Sequence, residues 1–356
     1  MTLKIISKTA LSAWIEKLSA SYQVIGPVTR PGGTVFTEIQ AAEELDLGYA
    51  TTLLPPKKVL LPPRETLLRF DGNGAEPVWE ERPFLIFGVH TCDLHAIALL
   101  DHFFGADPAD QHYQTRRRNT TIVSLECLQP CSEDAFCKDM GTLVVPDAFD
   151  LHLTDLGSDL ALEVGSEKGA SLLDGMAAVR EATAVDYHQF NQTMTEKWPR
   201  FPYRLEADVT ELPSLLAVST RSQVWTAVGE QCLGCGACTL VCPTCTCFNV
   251  VDDVDFSLLN GSRVRVWDSC QFAQFASVAG GHDFRQGRAA RQRHRFNRKY
   301  KYQMEAAGMM GCVGCGRCAR SCLVHIKPVD VLNKLHRQRT AVQHTAVSPQ
   351  RREAMR

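Results

Sequence analysis

The N-terminal half of the chain alternates short apolar runs with polar turns. Apolar positions at helical spacing predict an amphipathic helix over residues 9–21, and these positions are Leu11, Trp14, Ile15 and Leu18. The runs VIGPV and GTVFTEI, which are bounded by Pro and Gly, then predict two strands. The pattern favours a mixed α/β structure for this half of the chain.

The clearest tertiary signal is a strand–helix–strand pattern. Residues 84–89 (FLIFGV) and 120–126 (TTIVSLE) are apolar enough for buried strands, and residues 93–104 between them have helical periodicity. If the strands are parallel neighbours, the crossover helix places both carboxyl ends at one edge of the sheet. Cys92 follows the first strand and Cys127 follows the second. This topology therefore predicts that the two thiols lie close together.

A change of composition near residue 220 divides the chain. We predict an N-terminal domain of the α/β or α+β class over residues 1–220 and a helical, cysteine-rich domain over residues 221–336. The remaining residues, 337–356, are polar and predict a frayed tail. The chain has 356 residues, 45% of them hydrophobic, which is enough to bury two cores.

No segment of the chain predicts a membrane span or a signal peptide. Charged residues interrupt the N-terminal apolar positions from Lys4 to Lys17, and the longest uncharged run, Gln231 to Val251, contains six cysteines and Pro243. We therefore expect a cytoplasmic protein, in which thiols stay reduced and metal clusters are assembled.

Two segments of the cysteine-rich domain, CLGCGACTLVCP and CVGCGRCARSC, share one cysteine spacing. The spacing C-x2-C-x2-C-x3-C is that of two-cluster ferredoxins, in which the first three thiolates hold one cubane and the fourth serves the other. It predicts two [4Fe–4S] clusters, the first on Cys232, Cys235, Cys238 and Cys322 and the second on Cys312, Cys315, Cys318 and Cys242. A pair of zinc sites is the alternative, but zinc prefers two separated knuckles.

Four glycines interleave these cysteines, where a backbone that folds around a cluster needs permissive dihedral angles: Gly234, Gly236, Gly314 and Gly316. Leu323 stands where the second motif would usually carry proline. This departure changes local packing, and all four thiols remain.

A third candidate site combines four cysteines of the N-terminal domain: Cys92, Cys127, Cys131 and Cys137. Thiols that converge at a sheet edge suit a third [4Fe–4S] cluster or a zinc ion, and Asp93 is an alternative ligand. Separate buried cysteines are the other interpretation. Three cysteines remain outside these sets, either as contacts that tune a neighbouring cluster or as buried thiols: Cys245, Cys247 and Cys270.

The net charge of −2 does not favour nucleic acid or membrane binding. Locally, residues 284–303 contain eight Lys or Arg side chains and no acid. This basic stretch could bind nucleic acid, form a solvated helix face, or offset cluster charge and dock an acidic partner, and the third interpretation is favoured. We therefore expect no nucleic-acid partner, and a non-redox, metal-stabilised assembly or nucleic-acid-binding module is the rival function.

No nucleotide-binding loop or catalytic constellation is found in the sequence. The only G-x-G-x-x-A match, at Gly314, Gly316 and Ala319, lies inside a cluster motif. No residue set resembles a hydrolytic triad or an acid–base pair. The chain is therefore predicted to be non-catalytic and to receive electrons from a separate flavoprotein.

Residues from about 80 to 335 resemble the beta subunit of cytosolic sulfhydrogenases, a class of nickel–iron hydrogenase. They are equally similar to the iron–sulfur component of anaerobic sulfite reductase. The likeness is carried by the segments FGVHTCDLHAIALLDHFF, ECLQPCSEDAFCKDMG, CLGCGACTLVCPTCTCF, VWDSCQFAQFASVAGGHDFR and CVGCGRCARSC.

The resemblance implies electron transfer from a flavin-containing, NAD(P)H-reactive subunit to a catalytic subunit that holds nickel–iron or siroheme. It also implies that the additional cluster lies on Cys92, Cys127, Cys131 and Cys137, or on some of them with Asp93. Relatives often carry a further cysteine near position 135, where this chain has Ala135.

Overall fold

The computed structural model describes the backbone of residues 3–353 and the side chains of residues 3–342. Twelve strands occur in this part of the chain, namely β1 Leu3–Ser7, β2 Gln23–Arg30, β3 Gly33–Glu38, β4 Arg64–Asp71, β5 Gly74–Pro77, β6 Phe84–His90, β7 Thr120–Leu125, β8 Leu151–Asp155, β9 Asp159–Val164, β10 Val179–Glu181, β11 Phe248–Val254 and β12 Gly261–Trp267. They form an eight-stranded mixed sheet in the order β10-β1-β9-β8-β7-β6-β2-β3 and a four-stranded antiparallel sheet in the order β11-β12-β4-β5.

Thirteen α-helices occur in the same described residues, namely α1 Leu11–Ser19, α2 Lys57–Leu60, α3 Thr91–Gly105, α4 Gln111–Arg118, α5 Glu167–Ser171, α6 Ala184–Arg200, α7 Leu212–Val218, α8 Val224–Gln231, α9 Ala237–Leu240, α10 Arg288–Asn297, α11 Gln303–Ala307, α12 Arg317–Arg320 and α13 Pro328–Glu353. A π-helical turn, Arg298–Tyr302, joins α10 to α11. The fold is therefore mixed, as predicted. No described helix combines the length and hydropathy that a bilayer crossing requires.

The predicted strand–helix–strand unit is confirmed as β6–α3–β7. Strands β6 and β7 are parallel neighbours, with Phe84 opposite Thr120. Every residue of both strands is buried, because the sheet is covered on both faces. Thr91, which begins α3, donates a hydrogen bond to the Cys127 sulfur at 3.5 Å. The carboxyl ends of the two strands thus meet at one edge, as the topology predicted.

The strands and helices predicted near the N-terminus are also present. The helix expected over residues 9–21 is α1, whose buried face is Trp14, Ile15 and Leu18. The two strands expected after it pair as the antiparallel neighbours β2 and β3. Residues 169–182 are less helical than their composition indicates, since α5 ends at Ser171 and the short strand β10 follows.

The region predicted as helical also contains a β-hairpin, formed by β11 and β12. Strand β12 pairs with β4, so the four-stranded sheet takes strands from both sides of residue 220. A second hydrophobic core likewise joins Phe136 and Met140 to α7, α8, α10 and α13. Each large apolar side chain buried there contributes about 1.5–3 kcal/mol to stability. The cysteine-rich region is therefore packed onto the N-terminal region over a broad contact.

The polar tail predicted to fray from residue 337 instead continues helix α13 as far as Glu353. Arg337 pairs with Glu206, and Arg339 pairs with Glu211. These ion pairs attach the described part of the tail to the segment that precedes and includes the start of α7.

Candidate metal centres

Four of the predicted ligands line one cavity, which we call the first centre: Cys232, Cys235, Cys238 and Cys322. Helix α8 ends at Gln231, so the first of these thiols begins the loop that leads into α9. Cys322 follows α12, and α12 packs against α9. The fourth cysteine of the second motif therefore lies with the first three of the other motif.

The second centre is a separate cavity lined by the complementary set: Cys242, Cys312, Cys315 and Cys318. Cys242 follows α9 as Cys322 follows α12, so the two motifs are related by the same exchange. The structure thus brings together the two sets of four that crossed ligation requires. A donor set of four thiols lining a cavity fits a [4Fe–4S] cluster.

The glycines of the two motifs have the backbone conformation that the sequence indicated. Gly234, Gly236, Gly314 and Gly316 all have φ between +67° and +76°. A Cβ on Gly236 would lie 2.5 Å from the Phe272 ring, and one on Gly314 would lie 2.6 Å from the Phe136 backbone. A side chain at either position is excluded both by backbone strain and by contact with a neighbour.

Donors surround the sulfur atoms of both centres. Five hydrogen bonds reach these sulfurs: Gly234 N to Cys232 at 3.3 Å, Gln292 Nε2 to Cys232 at 3.0 Å, Ile326 N to Cys322 at 3.3 Å, Gly314 N to Cys312 at 3.5 Å and Tyr300 OH to Cys312 at 3.3 Å. Donors to sulfur stabilise negative charge on it, and in bound clusters they set the reduction potential.

Part of the basic stretch is turned inward. Arg291, Arg295 and Lys299 recur every four residues along α10 and the π-helical turn, and all three are buried. Arg291 donates to backbone carbonyls of the preceding loop at 2.6 and 3.2 Å. Arg295 lines both the first and the second centre, and Lys299 lines the second. The inward face therefore brings cationic charge to the thiols, which supports the charge-compensation interpretation.

The charge of these cations depends on the thiols around them. Burial lowers the pKa of Arg295, but the negative charge of Cys238 and Cys318 outweighs it and raises the pKa well above the usual value. Burial likewise opposes the charge of Lys299, and Cys242 foremost raises its pKa above the ordinary range. Cation and thiolate therefore stabilise each other in this interior.

The third centre comprises the cysteines at the edge of the large sheet. Cys127 and Cys137 pack in one buried cluster, and burial followed by the neighbouring Cys131 thiol raises the pKa of both, that of Cys137 to about 12. Cys92 packs against Cys315 of the second centre. The four thiols are thus linked by packing contacts, and one of them adjoins the second centre.

Asp93, the alternative ligand, is engaged by an arginine. Both of its carboxylate oxygens accept hydrogen bonds from Arg317, at 2.6 and 2.7 Å, and both side chains are almost fully buried. Arg317 also donates to the Thr52 carbonyl at 3.1 Å. Since Arg317 lies between two cysteines of the second motif, this pair connects the second and third centres.

Sequence reasoning missed a lysine beside the second centre. Lys57 is buried, donates to the carbonyls of Cys242 and Cys245 at 3.0 Å each, and lies 4.0 Å over the Trp267 ring. Its segment, KKVLLPPRE, was interpreted as turn-rich, and part of it forms α2. The only local signal is a lysine next to an apolar run, which is too common to identify a functional residue.

The remaining three cysteines are brought together at a further cavity beside the second centre: Cys245, Cys247 and Cys270. Among the described residues, no three His, Cys, Asp or Glu side chains converge closely enough to hold a single metal ion.

Comparisons with known proteins agree with this arrangement. The family model described as "4Fe-4S dicluster domain" matches residues 231–326, the segment that contains the first two centres. The chain is 36% identical over 323 residues to sulfhydrogenase 2 subunit beta of Pyrococcus furiosus, covering 90% of this chain and 95% of that protein. No solved structure gives a significant match. The extent of this identity shows that the chain belongs to the family of iron–sulfur beta subunits of sulfhydrogenases.

Proposed function

We propose that this chain carries electrons from a flavin-containing, NAD(P)H-reactive subunit to the catalytic subunit of a hydrogenase-type complex. The observation that carries the proposal is the crossed arrangement of the two cysteine motifs, which gives two adjacent cavities with four thiols each. When bound, a [4Fe–4S] cluster accepts and releases one electron at a time.

The proposed ligands of the first and second centres are the eight cysteines of the two motifs. For the third centre we propose a further [4Fe–4S] cluster on Cys92, Cys127, Cys131 and Cys137. Asp93 is left out of this set because Arg317 binds both of its oxygens.

The residues between the centres support a continuous relay. Arg295 lines both the first and the second centre. Cys92 packs against Cys315, which joins the second centre to the third. Cys235 of the first centre is exposed, and Leu233 and Leu323 beside it are 55% and 75% exposed. We therefore place one end of the relay at this surface, where a partner subunit would reach it.

The hydrogenase-type partner is favoured over a sulfite reductase because the similar protein from Pyrococcus furiosus belongs to a sulfhydrogenase. We propose a cytoplasmic location because all fifteen cysteines are free thiols in a fold that has many close cysteine neighbours. Flavin and nicotinamide chemistry is assigned to the partner, since the chain has no nucleotide-binding motif.

Anaerobic purification of the complex tests this function. Iron and acid-labile sulfide are expected in equal amounts, about eight of each per chain for the first two centres and about twelve with the third. Chemical reduction is expected to produce cluster signals in electron paramagnetic resonance (EPR) spectra. Zinc without labile sulfide would overturn the proposal, and co-purified nucleic acid with salt-sensitive affinity would favour the rival function.

A further inference from the structure

The three cysteines outside the proposed ligand sets surround a cavity of about 340 Å³ beside the second centre. Cys245, Cys247 and Cys270 all contribute to its wall. The first two are half-buried and the third is buried. A cavity of this size exceeds what a single ion fills, since a water molecule takes about 30 Å³ of liquid volume.

The fold holds these thiols in place from three directions. Cys245 follows the second-centre ligand Cys242 by three residues, and their thiols are hydrogen-bonded. Cys247 precedes strand β11 and Cys270 follows strand β12, and Asp268 N donates to the Cys247 carbonyl at 3.0 Å beyond the last strand pair. The hairpin therefore brings the Cys247 and Cys270 thiols into hydrogen-bond contact.

Cationic side chains form the opposite wall of this cavity. Arg295 and Lys299 are only 7% and 6% exposed, and Arg298 lies between them in the sequence. The Nε atom of Arg295 is buried and has no hydrogen-bond partner among the described residues. Buried cations without a full set of partners require compensating negative charge. Three thiols alone, if protonated, do not supply it.

We propose that this cavity holds a further [4Fe–4S] cluster, bound through Cys245, Cys247 and Cys270. On binding, each thiol releases its proton to solvent and forms a sulfur–iron bond, with iron and sulfide delivered as a cluster. The anionic cluster is then compensated by Arg295, Lys299 and Arg298. A zinc ion would meet the same cations as an unfavourable charge. A simple disulfide would leave the third thiol and the cations unexplained.

Three thiolates leave one iron for a ligand of another kind. His294 lines the same cavity and is the protein side chain that fits this position. The mouth of the cavity is formed in part by Phe248 and Tyr302, which are 37% and 41% exposed. A cluster here would therefore lie near the surface and next to the second centre, as a second port of the proposed relay. The inference rests on the proposed function only in requiring that the chain be loaded with clusters.

The test compares the double variant Cys247→Ser/Cys270→Ser with Thr246→Ser, which changes the same wall and keeps every thiol. Both are purified anaerobically as the full complex. We expect wild type and Thr246→Ser to contain about sixteen irons and sixteen labile sulfides per chain, and the double variant to lose about four of each. EPR signals of the first two centres are expected to persist in all three proteins.

Equal iron and sulfide in the double variant and the control would overturn the inference, as would zinc at this site. Absence of clusters from the wild type would instead overturn the proposed function, so the two failures are distinguishable. If the double variant does not fold, alkylation of the wild-type holoprotein decides the question. We expect Cys245 and Cys247 to resist alkylation until iron is chelated. Their modification in fully loaded protein would refute the cluster.

Discussion

The buried ion pair of Asp93 and Arg317 connects two of the proposed metal centres at the level of single residues. Neither side chain is more than 2% exposed, and the carboxylate is bound through both of its oxygens. A buried pair of this kind contributes little net stability compared with apolar residues, but loss of one partner leaves an uncompensated charge. Its effect is therefore to fix the position of the second cysteine motif against helix α3.

We predict that Asp93→Asn lowers the free energy of unfolding by about 3–5 kcal/mol, because it leaves the Arg317 charge buried without a carboxylate. Anaerobic urea unfolding of the loaded protein measures the effect. The control is Asp252→Asn, which breaks an ion pair with Arg263 whose side chains are 43% and 49% exposed. That change should cost less than about 1 kcal/mol. Similar losses in both variants would contradict the role given to Asp93.

Lys299 should set the reduction potential of the second centre. A unit charge at roughly 7 Å, in a medium of effective dielectric constant about 20, contributes about 2 kcal/mol, or about 100 mV for a one-electron couple. Lys299→Gln is therefore expected to lower the potential of one cluster by on the order of 50–100 mV, because cationic charge favours the reduced state. EPR-monitored redox titration measures the shift. Lys301→Gln, on the less buried side of the same turn, should leave all potentials unchanged.

At the scale of elements, the cysteine motifs combine tight loops with very short helices. Helices α9 and α12 have four residues each and begin after a glycine of positive φ. The loop before each helix presents three thiols, and the end of the helix presents the fourth to the other centre. Because the backbone of one motif lies directly on Phe136, the loop after β7 contributes to the shape of the second centre.

Gly314→Ala is predicted to prevent assembly of the second centre and to remove about four irons per chain. Its φ is +67°, and the new Cβ would lie 2.6 Å from backbone atoms that have no room to move. Gly308→Ala is a matched control, since its φ is also +67° but no atom lies within 4 Å of the new Cβ. The control should cost about 1–2 kcal/mol of stability and keep all iron. Iron analysis and EPR spectra distinguish the two, and full iron content in Gly314→Ala would contradict the prediction.

At the scale of the whole molecule, residues 231–242 and 312–322 meet within one interior, enclosed by α8, α10 and α13. The hairpin of β11 and β12 lies between them in the sequence and pairs with β4 of the N-terminal region. This packing places the third centre beside the second. The proposed relay therefore depends on segments that are far apart in the sequence.

Crossed ligation makes a specific prediction about this long-range arrangement. Cys322→Ser should alter the EPR signal of the same cluster as Cys235→Ser, although the two residues belong to different motifs. Cys315→Ser, in the same motif as Cys322, should alter the other cluster. If Cys322→Ser and Cys315→Ser affected the same signal, each motif would hold its own cluster and the shared arrangement would be excluded.

The sequence by itself determined the local features of this protein. The tandem cysteine spacing, the glycines that require positive φ, and the strand–helix–strand unit that joins Cys92 to Cys127 are all encoded within short segments. Such patterns can be interpreted because a few neighbouring residues determine the turn, the helix or the crossover. The family resemblance rests on the same local segments.

Only the tertiary structure decided which charges and thiols meet across the chain. The pairing of Arg317 with Asp93, the approach of Lys57 to the second centre and the cavity of Cys245, Cys247 and Cys270 join segments that are up to 224 residues apart. No local pattern specifies these contacts. They arise because the hairpin and the inward face of α10 pack into the interior, where a buried charge must find a partner.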